Sequence, residues 1–294
     1  MKANDTLTLV LLAAMWGASF LFMRVAVPVL GPIVLIDLRV LIAGFGLLLY
    51  AMLLRRKPQL IHKWKQYLLL GACNAAIPFC LIAGAELSMN ASLAAILNSM
   101  TPLFTAIIAY VWMKEPLTAK KMIGLLLGVA GVIVLVSWNA HAGSTGTWGA
   151  VLMSLGAAFF YGIGGIYSAR HFKGEQPLNL AIGQQLAAGI LLLPVALFFL
   201  PTQIPSASVI GSVLALALLS TSLGYLLYFR LIMNVGAVKT LSVTFLVPVF
   251  GIGWGWMFLG EPLSLGMLVG LLIILLGVVL VTGIKLRSRR DAMQ

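Results

Sequence analysis

The chain has 294 residues, of which 62% are hydrophobic and only 9% charged, with a mean hydropathy of +1.09. A soluble domain of this length needs far more charge, and barrel strands would be shorter and alternate polar with apolar residues, so the composition leaves an all-α membrane protein. The net charge of +12 sits in short connections between apolar runs, whereas a nucleic-acid-binding face gathers its Lys and Arg on one element, so no nucleic-acid partner is expected.

Apolar runs of about 20 residues, enough to cross roughly 30 Å of hydrocarbon, predict ten transmembrane helices. The first, 6–27, follows Lys2 and has a signal-peptide-like start, but it is long enough to span and is kept as a helix; it carries Trp16 and Phe20. Pro28 and Gly31-Pro32 break it from 32–54, which holds the ionisable pair Asp37 and Arg39. Two residues apart, these point to different faces and cannot form a helical i, i+4 pair. An ion pair of Arg39 with Glu86 or with Asp37 near the outer mouth, structural or gating, is the expected use.

The third helix, 66–86, contains Asn74, Pro78, Phe79 and Glu86, with Cys73 and Cys80 too far apart for a bridge. Helix 91–113 contains Asn98 and Pro102 and ends at Lys114-Glu115-Pro116. Helix 121–138 presents Gly124 and Gly128 as a small-residue face, and Asn139 to Gly146 separate it from 147–168, which carries Tyr161. Then come 178–200, 208–232 with Tyr225 and Tyr228, 238–259 with Thr244 and Pro248, and 264–284 with Gly266 and Gly270. The small faces of the fifth and tenth helices suit packing within each half or a dimer contact, and both monomer and homodimer fit. Trp64, Trp138 and Trp148 lie at helix ends as interfacial anchors.

With the N-terminus in the cytoplasm, 17 of the 19 Lys and Arg fall inside, leaving Arg24 and Arg39 toward the outer side. Both termini are therefore expected to be cytoplasmic. The chain also repeats at a spacing of 146: Pro102 with Pro248, Glu115-Pro116-Leu117 with Glu261-Pro262-Leu263, Thr118 with Ser264, Gly124 with Gly270, and Gly131 with Gly277. Trp16-Gly17 meets Tyr161-Gly162 at 145. Two repeats, 1–139 and 140–294, each of five helices, must enter the bilayer oppositely. Such inverted repeats are the architecture of secondary transporters, which expose a central site alternately.

These same segments resemble the EamA domain: Trp16-Gly17, Arg39, the stretches Pro102–Thr118 and Pro248–Ser264 with their Lys-Glu-Pro-Leu-Thr and Gly-Glu-Pro-Leu-Ser ends, and the run from Tyr225 to Ala237. The chain is similar to two such units in tandem, as in the ten-helix exporters of the drug/metabolite transporter superfamily. That resemblance implies a bacterial inner-membrane exporter of small metabolites, amino acids and their analogues being common substrates. It also implies a central cavity with the fourth and ninth helices near its axis and the fifth and tenth outside.

Backbone chemistry narrows the site. A proline inside a helix frees the carbonyl four residues earlier, so Pro102 frees Asn98, Pro248 frees Thr244 and Pro78 frees Asn74. Irregular backbone at membrane depth must face protein or a cavity; the same polar side chains also suit bonds to neighbouring helices. Trp16, Phe20, Phe79, Tyr161, Tyr225 and Tyr228 are the aromatic candidates for a substrate-binding wall, although aromatics also serve as lipid anchors. Glu115 and Glu261 stand before the fifth and tenth helices, where a carboxylate suits the helix N-terminus.

An enzyme is not expected: His62, His141 and His171 lie in loops, and no HExxH, GxSxG or nucleotide loop is present. No cofactor or metal site is predicted. A channel lacks a ring of charged residues, and phosphate substrates would call for several buried Lys or Arg. Efflux of a neutral, zwitterionic or apolar small molecule is the preferred reading, with import, exchange and a channel as alternatives and proton coupling left open.

Overall fold

The computed structural model describes residues 3–139, 145–236, 240 and 242–283. Among these residues the chain is entirely helical, with no strand. Helical backbone runs from Ala3 to Leu53, 51 residues, which at 1.5 Å per residue would reach about 76 Å, more than twice a bilayer core. Gly31 breaks it with φ 69° and ψ 163°, flanked by Pro28 and Pro32. Only glycine takes such a conformation freely, and the break separates α1 (3–30) from α2 (32–53).

The rest follow as α3 (Ile61–Ala85), α4 (Ala91–Met113), α5 (Ala119–Asn139), α6 (Thr145–His171), α7 (Pro177–Ala196), α8 (Ala207–Val235), α9 (Val243–Leu259) and α10 (Leu265–Thr282). With the first helical run divided, the described residues hold ten helices. The expected basic positions Lys2, Lys239, Lys285, Arg287, Arg289 and Arg290, the start of the predicted ninth helix and His141 lie outside the described residues.

The Glu-Pro turns show why their sequence repeats. Lys114 and Gly260 both adopt the left-handed conformation, φ 58° and 64°, and end α4 and α9. Their N–H groups close back on the carbonyls of Ala109 and Gly255, and so do those of Glu115 and Glu261. Proline then prevents helix from resuming at once. Thr118 and Ser264 finally cap α5 and α10, their hydroxyls accepting from the N–H groups of Lys121 and Met267.

Glycines set the helix crossings. A Cβ on Gly124 would meet the Gly277 carbonyl at 2.6 Å, and one on Gly131 the Gly270 carbonyl at 3.0 Å. The early part of α5 thus faces the late part of α10 and the reverse, so the two run antiparallel with backbones in contact. Helices at equivalent places in two oppositely inserted repeats must cross this way. The α5 and α10 glycine faces therefore join the two halves at Gly124, Gly266 and Gly270, while Gly128 packs within its own half on Leu103 and Met100 of α4.

The inner crossings repeat as well. Gly17 of α1 lies against Phe250 and Gly251 of α9, and Gly162 of α6 against Phe104 and Thr105 of α4; residues 104 and 250 are one repeat apart. Helix α8 packs on α1 and α2, as α3 packs on α6 and α7. Every half is thereby built against the other. A continuous apolar core runs through both, from Leu9 to Val281.

Candidate functional site

A cavity of about 310 Å³ lies between the halves, walled by α1, α2, α3, α4, α6, α8 and α9. It brings together Trp16, Phe20, Asn74, Phe79, Asn98, Tyr161, Tyr225 and Thr244, along with Pro102, Pro248, Arg39 and Tyr228. Pro78, Asp37 and Glu86 do not line it.

Two aromatic pairs face each other in the wall. Trp16 and Tyr225 meet edge to face with centroids 6.4 Å apart at 68°, and Phe79 and Tyr161 meet at 6.0 Å and 70°. Phe79 and Tyr225 are one repeat apart (225 − 79 = 146), and Trp16 corresponds to Tyr161. The same edge-to-face contact has therefore been built twice from equivalent positions. Such pairs fix ring orientation and are worth about 0.5–1.5 kcal/mol beyond their burial. Tyr228 adds a third ring, 5.4 Å from Trp16.

The backbone beside these rings is irregular in both halves. Helix α3 widens into a π-helix over Ala72–Ala76, and α8 does so over Ala215–Leu223. In α3 the cause is Pro78, whose missing N–H cannot reach Asn74. In α8 the equivalent residue is Gly224, and hydroxyls serve instead: Thr221 donates to the Leu216 carbonyl at 2.8 Å and Ser222 to that of Ala217 at 3.1 Å, each five residues back. The side chains at the two wide turns, Asn74 and Ser220, are equivalent and both line the cavity. Asn74 donates to Gln184 at 2.8 Å, and Ser220 to the Met15 carbonyl at 2.8 Å.

The proline positions behave unequally. Helix α4 is interrupted at Ser99-Met100, just before Pro102, and the freed Asn98 carbonyl accepts the Thr101 hydroxyl at 2.8 Å. The Asn98 side-chain oxygen is buried with no hydrogen-bond partner among the described residues, an uncommon state for a buried polar atom. Helix α9 passes through Pro248 unbroken.

Arg39 departs from expectation. It forms no ion pair among the described residues; its Nε donates to the Thr221 hydroxyl at 3.0 Å and its guanidinium lies 3.6 Å over the Phe79 ring. Asp37, two positions along α2, faces elsewhere, as the i, i+2 spacing requires, and its Oδ1 has no partner. Glu86 is buried just beyond the end of α3, where Arg24 donates to its backbone carbonyl and both carboxylate oxygens lack a hydrogen-bond partner among the described residues. The expected pair of Arg39 with Asp37 or Glu86 is absent because Asp37 points to another face of α2 and Glu86 stands about two turns along α3 beyond Phe79, the ring on which Arg39 is stacked.

Glu261 is also used differently. Its carboxylate accepts from the Ala91 N–H at 2.8 Å, the Ser92 N–H at 3.0 Å and the Ser92 hydroxyl. It therefore caps α4, in the other half, while Ser264 caps α10. The equivalent Glu115 is exposed and pairs with Lys121 at 3.5 Å. A helix cap supplied from another part of the chain leaves no local spacing to reveal it. The Thr221 hydroxyl that aims Arg39 was equally hidden, since it looks like one more residue of a Ser/Thr run.

Similarity to known proteins agrees with this architecture. The EamA-like transporter family model matches residues 6–137 and again 147–283. The chain is 28% identical to an uncharacterized transporter, YvbV, of Bacillus subtilis (strain 168), covering 95% of this chain and 92% of that protein. It is 28% identical to the uncharacterized inner membrane transporter YedA of Escherichia coli (strain K12), over 91% and 87%. It is 25% identical to a probable amino-acid metabolite efflux pump of Salmonella typhimurium, over 98% of each. A solved crystal structure shares the fold, with TM-score 0.65 and 19% identity over 95% of this chain and 96% of that one.

Proposed function

We propose that this chain, which belongs to the EamA-like transporter family, exports small neutral, zwitterionic or apolar metabolites across a bacterial inner membrane, amino acids and their analogues among them. It is a multi-pass membrane transporter, not an enzyme. The observation that carries the finer reading is the cavity between the halves, walled by equivalent aromatic pairs and by equivalent wide turns of α3 and α8.

A site built from both halves is the geometry alternating access needs. Rocking one half against the other opens first one end and then the other without dismantling the site. Repeats 1–139 and 140–294 are the moving bodies in this reading, with both termini cytoplasmic as the basic residues favour. The probable amino-acid metabolite efflux pump among its relatives supports the direction and the substrate class.

Reconstitution in liposomes, with counterflow of an amino-acid panel in the presence and absence of a pH gradient, tests the proposal and reports proton coupling. For whichever substrate is carried, Asn98→Ala and Thr244→Ala are expected to lower the initial rate about tenfold at unchanged folded yield, the effect of one lost polar contact of about 1.4 kcal/mol. Undiminished transport by both variants would remove these residues from the site.

A further inference from the structure

We infer that Arg39 determines specificity: its guanidinium anchors a carboxylate on the transported molecule. The cavity then takes small organic acids and zwitterions with an apolar or aromatic body in preference to their amides. This rests on the reading of the central cavity as the transport site.

Among the described residues, Arg39 is the only fully charged side chain lining the cavity. It is buried, at 5% exposure. A cation withdrawn from water inside a membrane bundle is costly unless an anion compensates it. A structural arginine would have that anion in contact, and among the described residues no carboxylate lies within ion-pair distance, 4.0 Å, of Arg39.

Its partners hold it without neutralising it. Thr221 takes the Nε–H at 3.0 Å, the Met23 sulfur makes a weak contact with Nη1 at 3.5 Å, and the Phe79 ring lies flat beneath. A guanidinium offers five N–H donors in a planar fork that matches a carboxylate. Fixed at Nε and stacked on one side, this fork leaves its outer edge for the cavity. The Thr221 hydroxyl that receives Nε–H is itself fixed, because it donates to Leu216 in the wide turn of α8.

The surroundings suit the remainder of such a molecule. Phe79 with Tyr161, and Trp16 with Tyr225 and Tyr228, give apolar faces on both sides of the charge. About 310 Å³ is the size of a small-molecule site. The position equivalent to Arg39 in the second half is Gln184 (39 + 145 = 184, the offset at which Gly44 on Leu186 and Gly189 on Leu41 form reciprocal contacts), so positive charge enters from one side only. An otherwise two-fold site would thereby accept its substrate in a single orientation.

The test uses the purified full-length protein in lipid nanodiscs. Thermal unfolding is followed with matched acid and amide probes: 3-phenylpropionate and 3-phenylpropionamide, phenylalanine and phenylalaninamide, leucine and leucinamide. The acid of at least one pair is expected to stabilise at a concentration ten- to a hundredfold below its amide, the range of a charge-assisted bidentate bond. The phenylpropionate pair removes any effect of the amino group's own charge. Arg39→Gln is expected to abolish the acid preference while amide binding persists, a result that mere loss of packing on Phe79 would not give. Arg39→Lys, which keeps the charge and loses the fork, is expected to bind the acid about tenfold more weakly than the native protein, and it decides the matter should the glutamine variant not fold.

Acid and amide binding equally in every pair, no pair binding, or a folded Arg39→Gln that keeps the preference would each overturn the proposal. The transport reading is judged separately: counterflow without acid preference would remove the anchor and leave export standing. Acid-selective binding without counterflow would do the opposite.

Discussion

Replacing Glu261 by alanine removes three hydrogen bonds at the start of α4, two from backbone N–H groups and one from the Ser92 hydroxyl. Glu261 is buried, so the released N–H groups are not bathed in solvent in this structure. An unsatisfied buried donor costs about 1–3 kcal/mol, and the lost charge at the helix N-terminus about 0.3–1 kcal/mol more. With partial relief by water, a net loss of about 3 kcal/mol is expected, which raises local opening of the start of α4 roughly a hundredfold. Hydrogen exchange in nanodiscs reads this directly, through protection of the amides from Ala91 to Leu97. Glu261→Ala should lower that protection by about two orders of magnitude, and Ser92→Ala, which spares both N–H bonds, by about tenfold. Unchanged protection in Glu261→Ala would refute the idea that this carboxylate holds the two halves together there.

Three other perturbations probe the rest of the fold. Gly131→Val puts a Cβ 2.7 Å from an Ile274 side-chain carbon and 2.9 Å from its backbone nitrogen; forcing α5 from α10 should cost about 1–3 kcal/mol and lower the melting temperature by several degrees. Labelling with a membrane-impermeant reagent, of single cysteines placed at the exposed positions 116 and 262 in a background lacking Cys73 and Cys80, should mark only 262 from the periplasmic side under the proposed inversion of the two repeats with both termini cytoplasmic. Asn179, then Lys63, hold the Glu175 carboxylate below its ordinary range. A depressed carboxylate stabilises fully above its unfolded value of about 4.3 and loses that contribution as pH falls through the folded value. The melting difference between the native protein and Glu175→Gln should therefore be flat from pH 8 to about 5.5 and shrink progressively as pH falls below about 4.3. A gap that widened on acidification would contradict the assignment.

Repeat arithmetic made much of the cavity legible. The pairs Asn98 and Thr244, Pro102 and Pro248, and Trp16 and Tyr161 stand at one spacing, and a two-fold arrangement carries equivalent residues to one axis. The glycine faces of α5 and α10 were visible too, although their partner was not: small residues announce a close approach without saying to what. What escaped depends on contacts between distant segments. The Lys/Gly-Glu-Pro-Leu-Thr/Ser motif encodes its own turn and caps, yet the carboxylate of Glu261 is spent on α4, 170 residues away from Ala91 in the chain. The wide turn of α3 was signalled by Pro78, whereas that of α8 has no proline and depends on hydroxyls that would be unremarkable in a regular helix. Arg39 was recognised as a charge out of place, but charge alone pointed to an acidic partner, and the folded chain supplies an aromatic face and a hydroxyl.

The wide turns of α3 and α8 carry a consequence for how such sites diversify. A π segment holds one residue more than the α-helix needs, so everything beyond it is turned by about 100° relative to a regular continuation. Phe79 and Tyr225 both stand beyond such a segment, and a helical wheel drawn from the start of either helix assigns them the wrong side. Deleting a single residue from 72–76 or 215–223 would swing the aromatic ring out of the wall while leaving the helix's length and apolar character almost untouched. Gain or loss of one codon can thus re-aim half a helix, a far shorter step to a new pocket than recoding each residue that faces it.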